Sequence, residues 1–383
     1  MLSVKILFAC CVSLLLYVYL GYPLLVLLIS SVRKKPVQKG HHEPAVSILI
    51  AAHNEEAHIA RTVQNKIDQD YPREKLDILV VSDASTDRTD AEVQPFAHYG
   101  VRLIRQEPRA GKTAALNLAF PLAKGEIIVF SDANSVYAPN TVRHLVRNFL
   151  DPAVGYVTGR MIYQTAGGSG TGEGCSAYMR YENLLREWET QIGSIVGVDG
   201  GVDAIRRDLF VPMADHQLPD FVLPLFVIKQ GYRVVYEPDA IVKENALERA
   251  GDEYAMRVRV ALRALWALWD ARSVLNPFAD PLFAWQIWSH KLLRYLAFLF
   301  LAAAYGLNLV LWCQGMIYKV LFATQSLFYV IAFLAPVVGK RGYFNRIFYL
   351  PSYFVLLNAA SAHAFCQFLS GKKQTLWTPR KGG

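Results

Sequence analysis

Three short apolar runs in this chain each lead into an acidic side chain. Residues 46–52 (VSILIAA) run into His53-Asn54-Glu55, residues 76–81 into Ser82-Asp83, and residues 126–130 into Ser131-Asp132. A carboxylate accepts hydrogen bonds, ligates hard cations and takes up protons, so three of them brought to one edge could hold a polar ligand or a metal ion. Asp83, with Ser85, could also simply close a turn or cap a helix. Asn134 follows Asp132 by two positions and offers an amide oxygen. Asp68-Gln69-Asp70 has a stricter acidic spacing, but it precedes Tyr71-Pro72 in a polar turn and reads as surface. Gly111-Lys112 invites a phosphate-loop reading. That loop needs a glycine five positions earlier, where Gln106 stands, so nucleotide hydrolysis is excluded. Asp220 precedes an apolar helical run, where it could move a proton or cap the helix.

The elements that must position these groups alternate along the chain. Runs 46–52, 76–81, 101–104 and 126–130 read as buried strands, and 114–122 and 141–150 as helices between and after them. That alternation predicts an α/β domain with a mainly parallel sheet, whose ligands sit at the carboxyl ends of the strands. Residues 167–174 (GGSGTGEG) read as a flexible loop and 173–190 as a helix. Over 254–275, Val258, Ala261, Leu262, Leu265, Leu268 and Trp269 recur at helical spacing, with Arg259, Arg263 and Asp270 largely opposite. With Trp266, Trp285 and Trp288 nearby, this region reads as helices lying in a membrane interface.

Hydrophobic residues make up 53% of the chain and mean hydropathy is +0.21, and the excess is concentrated at the two ends. Ile6 to Val32 carries no charge and is long enough to cross a bilayer. Its length exceeds a signal-peptide core, and Arg33, Lys34 and Lys35 follow it, so the sequence predicts a retained anchor with the next domain in the cytoplasm. Residues 296–318, 320–339 and 347–371 are free of Asp, Glu, Lys and Arg and carry the C-terminal apolar segments. Lys340, Arg341 and Arg346 ask for one side of the membrane, as does the tail with Lys372, Lys373, Arg380 and Lys381. Three full spans do not satisfy both preferences, which leaves the topology open. These clusters account for much of the net charge of +8. No basic patch with interleaved aromatics suggests nucleic acid, and the five cysteines show no zinc or disulfide spacing.

VSILIAAHNEE (46–56), VVSDASTDRT (80–89), GKTAALN (111–117) and FSDAN (130–134) stand in the order of the motifs of family 2 glycosyltransferases with the GT-A fold, which this chain resembles. The resemblance continues through GGVDAIRR (200–207), residues 218–240 and Arg257-Val258-Arg259, and the C-terminal segments are similar to those of cellulose- and hyaluronan-type synthases. It implies a layout of an anchor at 1–35, a GT-A domain at 43–245, interface helices at 246–291, transmembrane helices at 292–371 and a basic tail at 372–383. The implied location is a plasma membrane, multi-pass, with the catalytic domain cytoplasmic.

The implied reaction is inverting transfer of sugar from a nucleotide-sugar donor, a UDP-sugar, to a glycan or lipid-linked acceptor in polysaccharide biosynthesis. Glu55 and Asp83 match positions that contact the nucleoside, and Lys112 a position near the diphosphate. Asp132 and Asn134 fall on the family's Asp-x-Asp pair, which implies Mg²⁺ or Mn²⁺, although an amide replaces the second acid. Asp220 matches the acceptor-side base, with Pro219 where an acidic neighbour is usual. Arg257 and Arg259 fall on the Gln-x-x-Arg-Trp segment, whose Gln and Trp are absent here. The lost Trp speaks against long-chain processive synthesis. The other readings are a single-addition enzyme acting on a polyprenyl- or other lipid-linked acceptor, and a non-catalytic subunit of a synthase complex. Retention of Asp83, Asp132 and Asp220 argues against the last. Implied partners are the bilayer and synthase or export subunits.

Overall fold

Every residue of Val46–Ala52 (β1) is buried, as expected of a strand covered on both faces. The computed structural model describes residues 1–164, 170–245, 249–338 and 345–374. In it β1 pairs in parallel with Leu76–Asp83 (β2) and with Ile127–Asp132 (β4), and Arg102–Gln106 (β3) extends the sheet beyond β2. Asp203–Arg206 (β7) joins β4 antiparallel and Val154–Gln164 (β6) joins β7. β6 then pairs in parallel with Arg233–Asn245 (β8), and Val136–Tyr137 (β5) closes the far edge. The order is β3-β2-β1-β4-β7-β6-β8-β5.

Alternation along β1 sends its side chains into two separate cores. Val46, Ile48 and Ile50 pack with the helices Ile59–Ile67 and Thr141–Val146. Leu49 and Ala51 pack with Lys112–Ala119, Pro219–Lys229 and Ala250–Asp270. The expected α/β sheet is therefore present, mostly parallel and helix-covered. Register settles the site's location: Ala51 lies opposite both Val81 and Asp132, so β1, β2 and β4 finish together at one edge.

Helix Leu2–Val32 is long and apolar enough to cross a membrane, as is Met316–Ala335. Residues expected to make one span over 296–318 instead make Ala297–Val310, which meets Pro281–Tyr295 at a 59° bend, and the chain breaks again before Met316. Helix Asn345–Leu369 carries the last apolar segment. Of the glycine-rich stretch read as a loop, residues 167–169 lie outside the described residues, and the chain is already helical from Gly170 to Ile192. The charges at 340 and 341, and tail residues 375–383, also lie outside them.

Helix Ala250–Asp270 departs from its expected pattern. Val258, Ala261 and Leu262 pack on Ala360 and Ala364, while Ala264, Ala267 and Leu268 enter the domain core. Sandwiched from both sides, it buries Arg263, which spacing alone placed on a polar face.

Candidate active site

Two turns follow β1 and β2 in conformations that non-glycine residues seldom adopt: Asn54 has φ 54° and Ala84 φ 51°. Each holds the other in place. The Asn54 N–H donates to Ser85 Oγ (3.2 Å), Asn54 Oδ1 accepts the Thr86 N–H (2.8 Å), and His53 Nδ1 donates to the Asp83 carbonyl (2.7 Å). Left-handed backbone outside glycine costs on the order of 1 kcal/mol, and such costs gather where geometry serves a site. The result buries the Glu55 side chain against the acidic edge. Burial first, then the charges of Asp132, Asp87 and Glu244, push its carboxyl up to about 7.

That shift carries a stability prediction. A carboxyl whose folded pKa is raised favours the fold below its unfolded value near 4.5 and loses that contribution as pH rises through 7. Ionised Glu55 therefore costs the fold on the order of 3 kcal/mol above pH 7. Glu55→Gln is expected to melt higher than the parent at pH 8, the gap closing by pH 4.5. Thermal unfolding in detergent at the two pH values checks this, and a gap that does not depend on pH would contradict it.

Asp83 is wholly buried and spends its carboxylate on the chain. Oδ1 accepts from Gln106 Nε2 (2.6 Å) and the Ala110 N–H (2.8 Å), and Oδ2 accepts the Gly111 N–H (2.9 Å). These bonds fix the turn at Gly111 (φ 97°) that starts helix Lys112–Ala119. Asp83 thus aims Lys112.

Lys112 is the hub of the arrangement. Its ammonium lies 2.6 Å from Asp132 Oδ1 and 3.5 Å from Asp220 Oδ1. Burial opposes its charge, but Asp132 and Asp220 outweigh that and hold it above the usual lysine range. Asp220 does not cap its helix. Leu218 takes that position and Asp220 sits within the first turn, free of a capping duty. Beside it, burial and then the charge of Asp220 push the Asp203 carboxyl well above the usual carboxylate range.

Gly200 and Gly201 form the wall facing these acids, with φ 73° and 72°. A Cβ at Gly200 would stand 2.5 Å from Asp220 Oδ2. One at Gly201 would stand 3.0 Å from Ser135 Oγ, 3.1 Å from Glu244 Oε1 and 3.4 Å from Asp132 Oδ2. The missing side chains leave space into which two carboxylates and a hydroxyl look. Among the described residues no cluster of three His, Cys, Asp or Glu side chains could hold a metal ion. Two carboxylates, Asp132 and Glu244, nonetheless fit a hard divalent cation that shares its remaining ligands with phosphate oxygens. Asn134, two positions after Asp132, is half-buried.

The two predicted arginines separate. Arg257 Nε donates to Glu253 (2.8 Å) and Nη2 to Tyr353 OH (2.7 Å), so it lies with the C-terminal helices and away from the acids around Lys112. Burial disfavours the charge of Arg263, Asp220 supports it, and Arg259 lies close enough to oppose it. Arg263 is the arginine that reaches the domain. It donates to Thr113 Oγ1 (3.1 Å) and to the Gln217 carbonyl, joining the residue after Lys112 to the loop that carries Asp220. Sequence reading missed Glu244, Asp203 and Arg263. Asp203 lay within the stretch 200–207 and Arg263 one turn beyond Arg259, whereas Glu244 had no such signal.

A cavity of about 1110 Å³ opens between the domain and the apolar helices. Its wall runs from Leu15 and Leu20 on helix Leu2–Val32, past Phe328 and Phe354, to Glu182, Lys291 and Asp199. Asp199 directly precedes Gly200 in the chain, and a Cβ at Gly200 would meet Asp220.

Residues 47–210 match the model of Glycosyl transferase family 2. The chain is 31% identical over 220 residues to "Probable glycosyltransferase YdaM" of Bacillus subtilis, covering 54% of this chain and 51% of that protein. It is 33% identical over 168 residues to the beta-monoglucosyldiacylglycerol synthase of a Nostoc species, covering 43% and 36%. The chain thus spans about half or less of the length of these relatives. Among solved structures, the mannosyltransferase PcManGT from Pyrobaculum calidifontis, in complex with GDP-Man and Mn²⁺, matches 96% of this chain and 99% of its own, with TM-score 0.73 and 24% identity. That likeness extends the shared fold over the apolar helices as well as the sheet. Residues 47–210, which carry Glu55, Asp83, Asp132 and the glycine wall, are thus similar to Glycosyl transferase family 2, and the chain has the GT-A fold.

Proposed function

We propose that this protein transfers a sugar from a nucleoside-diphosphate sugar to a lipid-borne acceptor, with inversion at the anomeric carbon. The observation that carries the reading is the Lys112 ammonium held between Asp132 and Asp220 across from Gly200 and Gly201. The donor's diphosphate lies against Lys112, with its nucleoside toward Glu55. The relative solved with GDP-Man holds a donor of this class, and UDP-sugars are the alternative nucleotide. Asp132, Glu244 and Asn134 would hold Mg²⁺ or Mn²⁺, which when bound offsets charge on the leaving diphosphate.

Asp220 takes the proton from an acceptor hydroxyl as that oxygen attacks the anomeric carbon. The new C–O bond forms while the bond to the diphosphate breaks, and its electron pair leaves on a phosphate oxygen facing Lys112. A charged donor stabilised in this way needs no covalent intermediate with the protein.

The cavity supports a lipid-borne acceptor, because its wall passes without interruption from membrane-type helices to the residue beside Gly200. Arg33, Lys34 and Lys35 directly after helix Leu2–Val32 support a cytoplasmic site. Incubation of the purified protein with labelled nucleotide-sugar and membrane lipid extract tests the acceptor class. Label extracted into chloroform–methanol is the expected result. Label in an aqueous ladder of long chains would replace this reading with polymer synthesis.

A further inference from the structure

Lys291 sits in the cavity wall with its side chain 15% exposed. Among the described residues its ammonium makes no hydrogen bond, and its nearest carboxylate is Glu182 at 3.9 Å. Glu182 is already engaged, accepting from Arg294 (2.6 Å) and facing His290 Nε2 (3.1 Å). The other cations around the cavity are matched more closely: Arg186 lies 2.6 Å from Asp199, and Arg257 2.8 Å from Glu253. A largely buried ammonium without a hydrogen-bond acceptor is costly, and its cheapest partner is an anionic oxygen supplied by a ligand.

Its position along the cavity is informative. An added Cβ at Gly197 would collide with the Lys291 ammonium, and one at Gly200 would meet Asp220. Three residues of chain, at most about 11 Å, separate those glycines. Away from this end the wall is apolar, with Leu15, Leu20, Phe328 and Phe354.

We infer that the acceptor is an anionic lipid whose phosphate sits on Lys291, its chain among the apolar helices and a head-group hydroxyl at Asp220. This deepens the acceptor assignment above and rests on that reading. A phosphate with one long isoprenoid chain and a diacyl phospholipid share this chemistry.

Binding to the full-length protein in detergent, with no donor present, separates this inference from turnover. The probes are polyprenyl phosphate, the uncharged polyprenol of equal length, and phosphatidylglycerol. The parent is expected to bind polyprenyl phosphate at least tenfold more tightly than polyprenol. Lys291→Met should lose that preference and keep its polyprenol affinity, whereas Lys291→Arg should retain it. A Lys291-dependent preference for phosphatidylglycerol instead would support the phosphate subsite and make the membrane phospholipid its source. Equal affinity of the parent for phosphate and alcohol would overturn the inference, as would Lys291→Met binding the phosphate like the parent. If Lys291→Met melts low, the parent's own ratio and the Lys291→Arg variant still decide. Nucleotide release that persists while the phosphate preference fails removes the subsite alone and leaves the transferase reading intact.

Discussion

Asp220→Asn is expected to lower kcat by about 10²–10⁴-fold, the usual worth of a positioned general base. The amide keeps the shape of the side chain and removes its ability to take a proton. Donor affinity should change little, because Lys112 retains Asp132 at 2.6 Å, the closer of its two partners. Folding should also survive, since Asp220 does not cap its helix and the cap position belongs to Leu218. The check is a kinetic split: kcat falls while KM for the donor holds within a few-fold. A variant with unchanged kcat would move the base to another residue.

Lys112→Gln should lower kcat/KM by about 10²–10³-fold, comparable to loss of one preorganised electrostatic donor at a developing negative charge. It differs from the Asp220 variant in two ways. It removes charge that faces the diphosphate in both bound and reacting states, so donor KM rises as kcat falls. It also leaves Asp132 and Asp220 facing one another without the cation between them, so the variant should melt lower than the parent. The double variant Lys112→Gln with Asp132→Asn should recover part of the melting temperature without recovering activity. Recovery of both would show Lys112 to be only a counter-ion. Wild-type KM in Lys112→Gln would show that the diphosphate binds elsewhere.

The readable part of this site was the part built from strand ends. Glu55, Asp83 and Asp132 follow buried apolar runs, and parallel pairing of β1, β2 and β4 in register delivers them to one edge. Lys112 was legible for a related reason, since it opens the helix that follows β3. Their division of labour was not legible. Asp83 reads in sequence as a ligand group, yet its oxygens are taken by Gln106, Ala110 and Gly111. Glu244 was out of reach because it lies at the end of β8, whose register against β6 shifts at two irregularities that no local pattern encodes.

Arg263 shows the limit of helical periodicity. Spacing places it opposite an apolar stripe and predicts exposure. The second layer formed by Asn345–Leu369 buries the helix from the other side, so the polar face becomes an inward contact. The bend before Ala297 was missed for a similar reason. Apolar composition reports that a segment can be buried in lipid, but the 59° turn depends on what the preceding helix packs against.

The central claim is that the groups around Lys112 cleave a nucleoside-diphosphate sugar for transfer. Its most direct test is nucleoside diphosphate release by the purified protein with Mg²⁺ or Mn²⁺ and membrane lipid extract, across UDP- and GDP-sugars, beside Asp220→Asn. The account predicts release from one donor sugar, enhanced by the lipid extract and lost in the variant. Absence of release from every donor by folded protein, or release undiminished in Asp220→Asn, would contradict it.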